Sequence, residues 1–436
     1  MKKFPIEQVT HIIENGIFSE RIGKVSKVVG LTIEVKGLKA FIGELCHILV
    51  KETASIIKAE VVGFNDDKVL LMALGGLSGI SQDSWVIPTR KPFTVEVGPH
   101  LLGQILDGLG NPMDTEPKPG LQVSIDRDPP DPLKRRRIDR VISTGVKAID
   151  GLLTVGEGQR MGIFAGSGVG KSTLLGMISK FGEADVNVIC LIGERGREVL
   201  EFIERDLGPE GMKKSVVVCA TSDQPALIRI KSAYVATSIA EYFRDQGKKV
   251  MLMMDSVTRF AMAQREVGLA IGEPPTSKGY TPSVFALLPR LLERSGMGEH
   301  GSITAFYTVL VDGDDLNEPI ADAVRGILDG HIVLSRKIAA RNHYPAIDIN
   351  ISVSRLMKEI VYEEHNFLAG CLRNHLAIYE KNEDLINIGA YVKGSNARVD
   401  EAILVIDQLN QFLQQKLNEY YSYDEVCNHL KLALEI

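Results

Sequence analysis

Ala165-Gly166-Ser167-Gly168-Val169-Gly170-Lys171-Ser172-Thr173 follows the apolar run Met161-Gly162-Ile163-Phe164 and precedes Leu174-Leu175-Gly176-Met177-Ile178. This order predicts a strand, a glycine loop and a helix, the setting a phosphate-binding loop requires. Glycines 166, 168 and 170 let successive backbone N–H groups turn inward around a polyphosphate, and the helix start adds free N–H groups and a positive dipole end. Lys171 is then placed to neutralise the β and γ phosphates of a bound nucleotide such as ATP. Ser172 offers a hydroxyl to Mg2+, and Thr173 can reach the α phosphate. One position departs from G-x-x-x-x-G-K-[ST]: Ala165 stands where the first glycine is expected, a difference of one methyl group.

Strands and helices alternate from here to about residue 350, which predicts an α/β fold with a parallel sheet covered by helices on both faces. Two apolar runs end in acids. Val188-Ile189-Cys190-Leu191-Ile192-Gly193 delivers Glu194-Arg195-Gly196-Arg197-Glu198, and Val250-Met251-Leu252-Met253-Met254 delivers Asp255. Ligands of open α/β sheets bind at the carboxyl edge. Asp255 is therefore expected to hold magnesium through bound water, as a Walker B acid does. Hydrolysis also needs a carboxylate that positions and activates water. Glu194, on a strand expected to neighbour the loop, is the candidate, and Glu198 is its competitor. Arg195 either steadies phosphate charge or pairs with an acid, and spacing leaves both open. Arg355, after Ile349-Asn350-Ile351-Ser352-Val353-Ser354, is a candidate finger for a neighbouring subunit's nucleotide, with a structural salt bridge as the plainer role. Tyr344, before Pro345, either stacks on adenine or packs.

Before the loop the pattern changes. Leu31, Ile33 and Val35 alternate with polar residues, and Glu60–Phe64 and Lys68–Met72 flank the turn Asn65-Asp66-Asp67. Several short strands with glycine turns predict a small β-barrel ending near Arg90. The first twenty residues place Val9, Ile12, Ile13 and Ile17 at helical spacing, which fits a short amphipathic helix or a frayed terminus. A linker, Asp128-Pro129-Pro130-Asp131-Pro132, leads into the basic run Lys134-Arg135-Arg136-Arg137. A solvated face explains that run most simply, with a nucleic-acid or lipid patch as the alternative. Beyond Leu356 the chain reads as helical, with Ile403, Val405, Ile406, Leu409, Phe412, Leu413 and Leu417 as a core stripe.

The 436 residues suggest two to four domains. A 44% hydrophobic and 24% charged composition is that of an ordinary globular chain. No run approaches the ~18 apolar residues of a membrane span, and the N-terminus lacks a signal-peptide core, so a cytoplasmic location is expected. Cysteines 46, 190, 219, 371 and 427 show no C-x-x-C pairing and read as reduced thiols. The net charge of −6 gives no global attraction to nucleic acid or anionic lipid.

Four blocks taken together carry a resemblance: Gly166–Ser172, Gly193–Val199, Met254–Arg265 and Gly279–Arg294, the last preceded by Gly272-Glu273-Pro274-Pro275. The chain resembles the flagellar and type III secretion export ATPases, themselves similar to the catalytic subunit of rotary ATP synthases, over nearly its whole length. The resemblance implies an N-terminal β-barrel (1–91), a RecA-like ATPase core (92–356) and a C-terminal helical domain (357–436). It implies Glu194 as catalytic carboxylate, Arg195 as a γ-phosphate contact, Asp255 as the Walker B acid, Tyr344 as adenine stacker and Arg355 as a finger in trans within a homo-hexamer. It also implies work at the cytoplasmic face of the inner membrane with export-gate, stalk, stator and chaperone–substrate partners. Two other readings were weighed. One is an RNA translocase similar to transcription terminator Rho, which the basic run motivates and the scarcity of aromatics in the N-terminal region disfavours. The other is a non-catalytic ring subunit, which the presence of Glu194 disfavours.

Overall fold

Residues 23–92 form a closed six-stranded barrel, two of whose hairpins close through two-residue turns at Gly30-Leu31 and Asp66-Asp67. The strands are β1 (Gly23–Val29), β2 (Thr32–Lys36), β3 (Glu44–Val50), β4 (Ser55–Asn65), β5 (Lys68–Ala73) and β6 (Trp85–Pro92), in the order β1-β2-β5-β4-β3-β6. Along β3 every second residue is buried, the signature of a strand with one face on a core. The Asp66-Asp67 turn joins β4 to β5 with Asn65 opposite Lys68, as the sequence pattern predicts, and Asp66 takes a positive φ of 52°. Ile33, Ile48, Val61 and Leu71 fill the interior.

The coordinates are a computed structural model that describes residues 22–50, 53–311, 313 and 315–434. The helix suggested within the first twenty residues lies outside them. By contacts the chain divides into two compact units, one reaching Phe93 and including Ala270–Gly272, the other comprising Thr94–Leu269 and the chain from Glu273 onward.

The second unit is built on a nine-stranded sheet. Along it run β17 (Ile347–Ser354), β16 (Gly330–Leu334), β10 (Arg160–Ala165), β15 (Ser302–Leu310), β13 (Lys249–Asp255), β11 (Val186–Ile192), β12 (Ser215–Ala220) and β8 (Ile105–Asp107), in that order. β14 (Gly296–Met297) pairs on β15, and β7 (Thr94–Val97) and β9 (Leu121–Ser124) form a separate ribbon. Only β17 and β14 run antiparallel to their neighbours in the large sheet. Every residue of β11 and β12 is buried, which is why Val188–Ile192 and Val216–Ala220 within them read as unbroken apolar runs: helices cover both faces.

The covering helices include α1 (Lys147–Leu152), α2 (Lys171–Phe181), α3 (Ala226–Asp245), α4 (Val257–Ala270) and α5 (Pro282–Leu292), and the helical region after residue 356 contains α6 (Glu363–Asn387), α7 (Ala397–Leu413) and α8 (Tyr423–Leu432). This last region shares its core with the sheet: Leu372, Leu409, Phe412 and Leu430 belong to the same buried cluster as Ile163, Ile189 and Met253. Leu417 falls outside the expected stripe. It lies beyond the end of α7 and is half exposed, because the chain has left the helix by Gln414. The thiols of Cys46, Cys190 and Cys219 are buried, those of Cys371 and Cys427 half-buried, and all five are free.

Two sets of charged side chains are bonded into the fold. Arg135 and Arg136 donate to the carbonyls of Ser295 and Gly298 at 3.0 and 3.1 Å, so two of the four basic side chains in the run are tied to the fold. Arg294 is fully buried and pairs with buried Glu241 through two bonds of 2.8 and 2.7 Å, while its Nη1 donates to the Ile125 carbonyl at 2.7 Å. Removing one partner of such a pair strands a charge in a low-dielectric interior. Arg294→Ala is therefore expected to lose about 3–5 kcal/mol of stability in denaturant titrations; a loss under about 1 kcal/mol, the scale of an exposed pair, would contradict the reading.

Candidate nucleotide-binding site

The site begins where β10 ends. Ala165 is still in the strand, pairing with Leu310 of β15 and Leu334 of β16, and does not take a positive φ. A side chain is thus accommodated where the motif usually has glycine. Gly170 is different: its φ is 93°, and it caps α2 in the left-handed region that favours glycine. Val169 is buried and anchors the loop from below, whereas Ser167 and Gly168 face solvent. The first N–H groups of an α-helix have no partner inside it, and at α2 these belong to Lys171, Ser172 and Thr173. The loop therefore presents unpaired donors and a positive dipole end at the carboxyl edge of the sheet.

Four charged side chains converge on this edge. Lys171 Nζ lies 2.5 Å from Asp255 Oδ1 and 3.7 Å from Glu194 Oε1. Arg259, one turn into α4, brings Nε to 3.4 Å from Glu194 Oε1. Thr308 of β15 donates its hydroxyl to Asp255 Oδ1 at 2.7 Å and so holds that carboxylate. Two cations and two carboxylates make the cluster formally neutral, which is how charges so deeply placed are tolerated.

The strand carrying Glu194 does not neighbour the loop strand. β15 and β13 stand between β10 and β11, and Lys171 spans the gap with its four-carbon stem. Asp255 and Glu194 do end adjacent paired strands. Gly193 makes this geometry possible: its φ is 66°, and a Cβ there would lie 2.8 Å from Arg259 Cδ.

The other sequence candidates separate. Glu198, the alternative base, is exposed and pairs with Arg195 at 3.4 Å; Arg195 itself is 79% exposed and stands outside the buried cluster. Tyr344 stands over Gly170, with ring carbons 3.7 Å from where a Cβ would be. It lines a cavity of about 790 Å3 together with Thr173, Lys147, Gln411, Gln414 and Tyr421. Arg355 lies at the opposite edge of the sheet. Ala165 is level with Leu334 and Ile347, whereas Ser354 pairs with Gly330 four residues down β16, which amounts to ~13 Å of strand. The Arg355 guanidinium donates to the Arg325 carbonyl at 3.1 Å. Arg259 went unnoticed in the sequence, although it sits four residues after Asp255; its only signal was that spacing.

The arrangement suits a polyphosphate and a hard cation. Glu194 Oε1 and Arg259 Nε are buried and face each other at 3.4 Å as an ion pair, without the geometry of a hydrogen bond. The serine hydroxyl and aspartate oxygens are the donor chemistry magnesium takes. Burial pushes the Glu194 carboxyl up to about 7, reinforced by the nearby charge of Asp255 and by a hydrogen bond shared with Glu198, and opposed by Lys171 and Arg259.

A folded-state proton affinity above the unfolded value of 4.5 means that Glu194 contributes less stability as pH rises through about 7. Glu194→Gln should accordingly melt higher than wild type at pH 8 without nucleotide, by ~2–4 °C, with the gap shrinking at pH 5. Melting curves at the two pH values check this, and a gap independent of pH would count against it.

Comparison with known proteins follows the same lines. The model of the ATP synthase alpha/beta family nucleotide-binding domain matches residues 145–354, that of the family's beta-barrel domain residues 25–90, and that of the type III secretion EscN ATPase C-terminal domain residues 361–432. The flagellum-specific ATP synthase of Bacillus subtilis is 59% identical over 92% of each chain, and the type 3 secretion system ATPase of Xanthomonas euvesicatoria is 55% identical over 94% of this chain and 93% of its own. The solved structure of assembled EscN in complex with its central stalk EscO, from enteropathogenic Escherichia coli, superposes with a TM-score of 0.87 at 47% identity, covering 95% of this chain and all of that one. The chain belongs to the ATP synthase alpha/beta family, among its flagellar and type III secretion ATPases, and is an ATP-hydrolysing enzyme.

Proposed function

We propose that the chain hydrolyses magnesium-bound ATP to energise protein export through a flagellar or virulence type III secretion apparatus. The observation that carries the hydrolytic reading is the convergence of Glu194, Lys171, Asp255 and Arg259 beside the glycine loop. The loop residues Ala165 to Thr173 cradle the phosphates with backbone N–H groups, and Lys171 leaves Asp255 for the β and γ phosphates. Ser172 and Asp255 would hold the magnesium ion. Magnesium, when bound, neutralises phosphate charge. Glu194 accepts a proton from the attacking water, a task suited to a carboxyl whose proton affinity lies near neutrality. Arg259 spreads the negative charge of the transferring group, and Arg195 turns in from the surface to the γ phosphate. Tyr344 stacks on the adenine.

Arg355 serves the nucleotide of the next subunit. Its place at the far edge of the sheet supports this, because a guanidinium there is remote from its own glycine loop. Such a finger needs a ring, and we propose a homo-hexamer in which the barrel (1–91) mediates oligomerisation, the core (92–356) hydrolyses ATP and the helical domain (357–436) faces partners. Assembly of the relative EscN with a central stalk supports both the ring and a stalk partner. Stator, export-gate and chaperone–substrate partners complete the proposal, with release of chaperones and unfolding of cargo at the cytoplasmic face of the inner membrane. Among the described residues no helix is long and apolar enough to cross a membrane, consistent with peripheral attachment. Nucleic acid is not proposed as a partner, since Arg135 and Arg136 are spent on carbonyls.

Glu194→Gln should lower turnover by about 10²–10⁴ while nucleotide still binds. Arg355→Ala should lower it by about 10³–10⁵. Mixing the two inactive proteins should recover activity, because an Arg355→Ala subunit keeps its own Glu194 and receives Arg355 from an E194Q neighbour. Absence of recovery in a mixture shown to co-assemble would remove Arg355 from the catalytic step.

A further inference from the structure

The cavity beside Gly170 is walled by stretches far apart in the chain: the residues around Lys147, the segment 342–346, the end of α7 with its exit, and Tyr421. One residue ties these walls together. Gln415 is 5% exposed, and its backbone N–H donates to the Tyr344 carbonyl at 3.0 Å. Its side-chain Oε1 accepts from the Lys147 N–H at 2.8 Å. Its Nε2 donates to the Gly145 carbonyl at 2.8 Å and to the Glu419 carbonyl at 2.9 Å. Both amide protons and the amide oxygen are therefore engaged. A glutamine amide supplies two donors and one acceptor group on a single planar head, which no other side chain of that length does.

The far ends of these bonds are themselves fixed. Gly145 N–H donates to Asp150 Oδ2 at 3.0 Å, and the fully buried Asp150 also takes Thr144 N–H at 2.8 Å and the hydroxyls of Ser143 and Thr144 at 2.6 Å. Lys147 lies with its ammonium 4.9 Å from the centre of the Tyr421 ring, and both residues line the same cavity as Tyr344. Gln415 thus links the segment that carries Tyr344, through its backbone N–H, to the segment that carries Lys147, through its side-chain amide.

We propose that Gln415 is the positioning residue for the nucleotide base: it acts by holding the segment that carries Tyr344 and the segment that carries Lys147 together beside the cavity. The proposal rests on the reading of this cavity as the base site. It makes a specific division of labour. Affinity for the base depends on Gln415, whereas affinity for phosphate depends on the glycine loop, none of whose residues bonds to Gln415. The helical region after residue 356 thereby enters nucleotide selection through a single amide.

The test compares full-length Gln415→Ala and Gln415→Glu with wild type in binding ATP and inorganic tripolyphosphate. Both ligands report on the same folded fraction, so the ratio of their affinities is independent of how much variant is folded. Gln415→Ala removes all three side-chain bonds. Gln415→Glu keeps the shape but turns an oxygen toward the Gly145 and Glu419 carbonyls. In both, the ratio of ATP to tripolyphosphate affinity should fall by about 10-fold or more, and KM for ATP should rise by more than kcat falls. A ratio within about twofold of wild type in both variants would overturn the proposal. Tyr344→Ala separates the two layers: if it too leaves the ratio unchanged, the cavity is not the base site, whereas if it lowers the ratio and the Gln415 variants do not, only the role of Gln415 fails.

Discussion

The ammonium of Lys171 is the interaction on which the arrangement around the loop depends. It lies 2.5 Å from Asp255 and 3.7 Å from Glu194, at the edge where the apolar runs Val188–Ile192 and Val250–Met254 end. Two carboxylates at the ends of adjacent buried strands repel each other and lose hydration, and either effect alone raises the cost of keeping both ionised. Lys171 and Arg259 offset that cost without removing it, and the Glu194 carboxyl accordingly stands near 7. In this structure, then, the loop lysine is occupied as a counter-ion for Asp255 and Glu194.

That double use explains several neighbouring choices. Thr308, on the strand between the loop strand and that of Asp255, donates to the same Asp255 oxygen that Lys171 meets, so the carboxylate has a second fixed partner. Gly193 is needed both for its backbone angle and for the room it leaves to Arg259, which keeps a positive charge beside Glu194. A buried ion network of this kind contributes little net stability, since desolvation consumes most of the Coulomb gain. What it supplies is a set of charges held ready in a low-dielectric pocket, where they act more strongly than in water.

Much of this was legible in the chain. The strand–loop–helix order around Gly166–Lys171 fixes the phosphate site locally, because its glycines and helix start act through backbone geometry. Glu194 and Asp255 were legible because apolar strands end abruptly in acids. The order of the strands was not: nothing in β10 or β11 records that β15 and β13 lie between them, since parallel pairing is decided by packing of helices on both faces. Arg259 was hidden inside an ordinary helical pattern. Gln415 was invisible for a related reason, because a glutamine just beyond the end of a helix has no periodicity of its own and gains its role from partners 268 and 270 residues away. Leu417 shows the converse error, an apolar residue at helical spacing after the helix has ended.

The central claim is that Lys171 neutralises two buried acids whenever nucleotide is absent, and the stability of Lys171→Met without nucleotide tests it most directly. Removing the ammonium leaves Asp255 and Glu194 short of a counter-charge, so at pH 8 the variant should be less stable than wild type by on the order of 3 kcal/mol in denaturant titrations. Lowering the pH toward 5 should narrow the difference as Glu194 takes up a proton. A variant as stable as wild type at pH 8 would contradict the claim and leave Lys171 as a phosphate ligand alone.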